Sequence, residues 1–92
     1  MSKNFKSKRK LAAIVFSDIV DFTKTMSKDE TLGLEFLKNH KTMINNALEE
    51  FKGELLKELG DGCLLIFDSA YEAVQFSQKI QNTIREKFNF KV

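Results

Sequence analysis

This chain has one cysteine, no proline and no apolar run longer than six residues, and each shortage closes off a class of protein. Cys63 has no second cysteine to pair with, so a disulfide-stapled scaffold is excluded and a reducing, cytoplasmic setting is expected. The longest apolar stretch, Leu11 to Phe16, falls far short of the roughly 20 residues a membrane helix needs. The basic start, Met1 to Lys10, is not followed by the apolar stretch and small-residue cleavage site of a signal peptide. No internal repeat and no linker interrupts the sequence. At 92 residues the chain makes one small domain, burying about 60% of its unfolded surface.

Basic charge over a folded face is also lacking. Lys3, Lys6, Lys8, Arg9 and Lys10 hold five of the fifteen positive charges. Residues 11–92 then carry ten positive against thirteen negative, a net of −3. A mildly acidic body behind a basic leader (residues 1–10) is not the footprint of a nucleic-acid-binding domain, so no nucleic-acid partner is expected.

What is present is a regular alternation of patterns. Leu11 to Phe16 suits a strand buried on both faces. Ser27-Lys-Asp-Glu30 has capping-box spacing and predicts a helix from Lys28. Its apolar stripe is Phe36, Leu37, His40, Met43, Ile44, Ala47, Leu48 and Phe51, with Gly53 placed to end it. Glu54–Leu59 and Cys63–Phe67 read as the strands of a hairpin with Asp61 at its tip. Ser69-Ala-Tyr-Glu72 opens a second helix with the stripe Ala70, Ala73, Val74, Ser77, Ile80, Ile84 and Phe88. Phe90-Lys-Val92 reads as the start of another strand. The order is that of an α+β, ferredoxin-like split βαβ fold (βαββαβ), cut at the start of its fourth strand.

Such sheets host many functions, so the acids matter more than the fold. Asp18 follows the first strand and Asp61 tips the hairpin, and neighbouring strands can bring the two carboxylates to one edge. Close carboxylates repel unless a cation lies between them, as Mg²⁺ or Mn²⁺ would. On spacing alone, two unrelated turn aspartates are the favoured reading, because Gly-Asp-Gly is also good hairpin chemistry.

Phe16-Ser-Asp-Ile-Val-Asp-Phe-Thr23 and Leu59-Gly-Asp-Gly-Cys-Leu-Leu-Ile-Phe67, with Lys57 two residues before the second, resemble the class III adenylate and guanylate cyclases. The resemblance runs from about Lys8 to Val92, making residues 11–92 part of a nucleotidyl cyclase catalytic domain. It implies that Asp18 and Asp61, with the backbone carbonyl of Ile19, hold two Mg²⁺ or Mn²⁺ ions. One ion would activate the ribose 3′-hydroxyl for attack on the α-phosphorus; the other would stabilise the departing pyrophosphate. Backbone N–H groups of Ile19, Val20, Asp21, Phe22 and Thr23 would cradle the polyphosphate, with Gly60 beside it. Lys57 stands at the purine-reading position, where a lysine favours ATP over GTP.

The resemblance also implies a homodimer with its active site at the interface, Lys57 and Asp61 of one chain serving different sites. Asp21 departs from the pattern, in which glycine is commonest, and its charge would lie near the triphosphate. The family's domain is about twice this length; the remainder holds a second purine contact and the asparagine and arginine that stabilise the transition state. This chain alone is therefore expected to be inactive, and any regulatory domain would lie outside it. The alternative is a non-catalytic nucleotide-binding or dimerisation module of the same descent. An RNA-binding sheet is weaker still, for want of paired aromatics and a basic flank. His40 reads as structural, Cys63 as a small core residue, and Phe16, Phe22, Phe36, Phe51, Phe67 and Phe76 as mostly core.

Overall fold

In a computed structural model of the protein, residues 12–92 are described; the basic leader and Leu11 lie outside them. Six elements follow one another: β1 (Ala13–Ser17), α1 (Phe22–Lys28), α2 (Glu30–Phe51), β2 (Glu54–Leu59), β3 (Gly62–Phe67) and α3 (Ala70–Lys87). The sheet has the order β1-β3-β2, antiparallel throughout, with Ser17 opposite Cys63 and Leu59 opposite Gly62. Between Leu55 and Lys57 the β2–β3 register shifts, a bulge. No helix among the described residues is long and apolar enough to cross a membrane.

Helices α2 and α3 cover one face of the sheet, and the core forms between them. Leu65 and Phe67 of β3 meet Met43, Ile44, Ala47 and Leu48 of α2 and Phe76, Ile80 and Ile84 of α3. Phe67 and Phe76 pack with ring centroids 4.9 Å apart. The second capping box forms as read. Ser69 Oγ accepts from the Glu72 N–H at 3.2 Å and starts α3.

Four local expectations are corrected. The strand is not buried on both faces: Ile14 and Phe16 are each 54% exposed, because helices cover only one side of the sheet. The first capping box is not used, since α1 already runs through Ser27; Asp29, in extended backbone, caps α2 by accepting from the Leu32 N–H at 3.1 Å. Lys52, not Gly53, takes the left-handed conformation that ends α2. On α3, Phe76 joins the core while Val74 stays 54% exposed and Ala70 is also exposed, so the buried stripe is rotated from the one expected.

Phe90-Lys-Val92 is not a paired strand. Phe90 stacks on Phe36 at 4.8 Å, and the Lys91 carbonyl accepts from the Val20 N–H at 2.8 Å. The segment thus crosses the end of β1 instead of running along its edge.

Candidate functional site

Asp18 and Asp61 come together because β1 and β3 are hydrogen-bonded neighbours. The Ser17–Cys63 pairing ends the β1–β3 ladder, directly before Asp18 and two residues after Asp61. Two residues, Gly60 and Asp61, join β2 to β3, with Gly60 at φ 65°. Such a φ costs a side-chain-bearing residue strain, which glycine avoids. Gly62 is needed for a different reason: a Cβ there would lie 2.9 Å from Phe16 Cζ and 3.0 Å from the Ser17 carbonyl oxygen. That close approach brings the hairpin turn against the end of β1.

Asp18, Ile19, Asp21, Phe22, Thr23, Lys24 and Asp61 line one open cleft of about 510 Å³. A hydrogen bond shared with Asp61 raises the Asp18 pKa above its ordinary value, helped by partial burial and by the like charge. The Ile19 N–H, donating to Asp18 Oδ1 at 3.0 Å, opposes this. Two adjoining carboxylates on an open cleft leave room for water and phosphate oxygens, the donor set that suits Mg²⁺ or Mn²⁺. No group of three or more His, Cys, Asp or Glu side chains forms a metal cage among the described residues. An ion held here would take its remaining ligands from water or phosphate oxygens.

Asp21 is in left-handed backbone (φ 57°, ψ 32°), where aspartate is tolerated better than most residues, so the turn survives without glycine. Of the five N–H groups expected to face phosphate, two are already engaged: that of Ile19 with Asp18 and that of Val20 with Lys91. Those of Asp21, Phe22 and Thr23 make no hydrogen bond among the described residues. Lys57 is exposed on β2, paired with Leu64, and is not part of the cleft.

His40, read as structural, is 2% exposed; Lys24 and one pairing escaped the sequence reading. Lys24 lines the cleft, one position past the motif. Ser17 and His40, 23 residues apart, form a buried hydrogen bond of 2.9 Å, and nothing in a linear sequence signals that pairing. Cys63 lies beside them with its thiol pushed up to about 11, by burial first and then by Glu58 and Asp18.

The Asp18 shift has a consequence for stability. A carboxyl whose folded pKa is raised favours the fold while protonated, and that contribution is lost as pH rises through the raised value. Without metal, Asp61→Asn is therefore expected to melt higher than the parent at pH 7. Exposed charge pairs are worth about 0.2–1 kcal/mol, or very roughly 1–6 °C for a domain of this size. The gain should vanish below the ordinary carboxylate range. Melting curves across pH in chelator check this, and an Asn variant no more stable at pH 7 would contradict it.

Over residues 5–91 the chain matches the family described as "Adenylate and Guanylate cyclase catalytic domain". It is 30% identical over 78 residues to a protein of Rhizobium meliloti (strain 1021) named "Putative adenylate cyclase 3", covering 84% of this chain and 13% of that protein. Among solved structures, adenylate cyclases from Trypanosoma brucei in their monomeric state superpose with a TM-score of 0.79 at 22% identity, over 85% of this chain and 35% of theirs. A bacterial light-regulated adenylyl cyclase gives 0.72 at 20% identity, over 82% and 41% respectively. These superpositions show a shared fold. The chain spans less than half the length of each of these proteins.

Proposed function

Because this chain belongs to the adenylate and guanylate cyclase catalytic domain family, we propose that it supplies the metal-binding carboxylates of a site that converts ATP to 3′,5′-cyclic AMP and pyrophosphate. The observation that carries this reading is the meeting of Asp18 and Asp61, 43 positions apart in the chain, on one open cleft. Asp18, Asp61 and the Ile19 carbonyl would hold two Mg²⁺ or Mn²⁺ ions. Such ions, when bound, lower the pKa of an attacking hydroxyl and neutralise charge on a leaving pyrophosphate. The chain's own part is positional. Gly60 takes the left-handed backbone that the turn requires, and the N–H groups of Asp21, Phe22 and Thr23 would orient the phosphates.

Lys57 stands outside this cleft, as a residue serving a partner's site would. Ile14 and Phe16 leave an apolar strip on the uncovered sheet face, which supports a homodimer that encloses two such sites. An ammonium donates only, so it suits the adenine ring nitrogen N1, an acceptor, and not the N–H groups that guanine presents.

The test is a chimaera in which residues 12–92 replace the matching segment of the Trypanosoma brucei catalytic domain. Cyclic AMP formed from ATP with Mn²⁺ supports the enzyme; nucleotide binding without turnover favours the non-catalytic module. In the same chimaera Lys57→Glu is expected to lower the ATP/GTP ratio of kcat/KM by about 10- to 150-fold, since a lost hydrogen bond to a charged group is worth about 1.5–3 kcal/mol. An unchanged ratio would remove Lys57 from base recognition.

A further inference from the structure

The described core contains two buried polar side chains, Ser17 (6% exposed) and His40 (2%), and they bond to each other. Leaving either one buried without a partner would be costly, and an apolar pair would fill the space without that risk. What the polar pair adds is direction, since a hydrogen bond of 2.9 Å is made in one geometry. Its location gives that direction a use. Ser17 is the last residue of β1, so its backbone leads directly into Asp18. His40, on α2, also lines a small cavity behind the turn formed by Gly60, Asp61 and Gly62. One imidazole therefore borders both segments that carry the cleft's carboxylates.

We infer that His40 is a positioning residue for the metal site: through Ser17 it fixes where β1 ends, and so holds Asp18 at a set separation from Asp61. The inference rests on the reading of Asp18 and Asp61 as metal ligands. His40 touches neither ion nor nucleotide and acts through the serine alone. Burial holds the imidazole below its ordinary pKa, so the neutral ring takes part in either tautomer. Groups that orient metal ligands from behind are typically worth 10–100-fold in metal affinity.

The experiment titrates the 92-residue chain with Mn²⁺ alone and follows paramagnetic broadening of amide resonances around Asp18 and Asp61, alongside thermal melting. Ser17→Ala and His40→Leu are each expected to weaken Mn²⁺ affinity about tenfold. The double variant should lose no more than either single one, because both remove the same bond. His40→Gln, which can still reach a hydroxyl, should recover most of the affinity, a rescue that a merely space-filling role would not show. If His40→Leu fails to fold, Ser17→Ala carries the test. Unchanged affinity in the Ser17 and His40 variants, with binding lost in Asp61→Asn, overturns the positioning role and leaves the metal site standing. Unchanged broadening in Asp61→Asn overturns both.

Discussion

In the chimaera carrying residues 12–92, Asp18→Ala and Asp61→Ala are each expected to lower kcat by on the order of 10³ or more. A catalytic metal contributes several kcal/mol of transition-state stabilisation, and each 1.36 kcal/mol is tenfold in rate. Both carboxylates face the open cleft and neither belongs to the apolar core, so the variants should fold. They should in fact be slightly more stable without metal, since the shared hydrogen bond relieves carboxylate repulsion only while a proton is held. Loss of activity with retained or raised melting temperature is a combination that general misfolding cannot produce. Cyclic AMP at a normal rate from either variant would remove the two aspartates from the chemistry.

The 92-residue chain alone, supplied with Mn²⁺ and ATP, is expected to form no cyclic AMP above a no-enzyme control. Phosphoryl-transfer sites gain on the order of 10³–10⁵ in rate from an arginine on the transition-state charge. Arg85 is the sole arginine among the described residues. It bonds to Asn82 and lines the groove between β1 and α3, not the cleft of Asp18 and Asp61. Pairing two copies adds no other arginine among the described residues, because each brings the same ones. Clear product from the purified chain would show that another group takes the arginine's part.

Much of the fold was legible because strong local signals agreed with the final packing. Ser69 and Glu72 close a capping box within four residues, and the Gly60-Asp61-Gly62 turn lies between two runs of the right length, so no distant contact has to be known. Legibility failed where a decision depended on what lies across the sheet. An apolar run such as Leu11 to Phe16 looks the same whether one face or two are covered, and Phe16 turned out to face outward. Ser27 had the right neighbour in Glu30, yet α1 had already started upstream on the residues of the first motif. That Asp18 and Asp61 would meet at one edge was legible from the strands that carry them. The Ser17–His40 bond was not, because α2 must first fold onto the sheet to bring a helix-stripe histidine against the end of a strand.

The bulge in β2 has a geometric meaning for the residue expected to read the base. Leu55 stands opposite Leu65, whose side chain is fully buried under the helices. Counting on without interruption, Leu56 would meet Leu64 and Lys57 would meet Cys63, on that same helix-covered side. Instead Leu56 is the extra residue, and Lys57 stands opposite Leu64. Side chains alternate across a strand, so one additional residue inverts the parity of all that follow. An ammonium that would have been pressed toward α2 is thereby delivered to the opposite side of the sheet, where a second subunit could meet it. Lys-x-Leu-Gly-Asp-Gly therefore specifies which groups are present, while the inserted Leu56 specifies to which side the lysine is addressed.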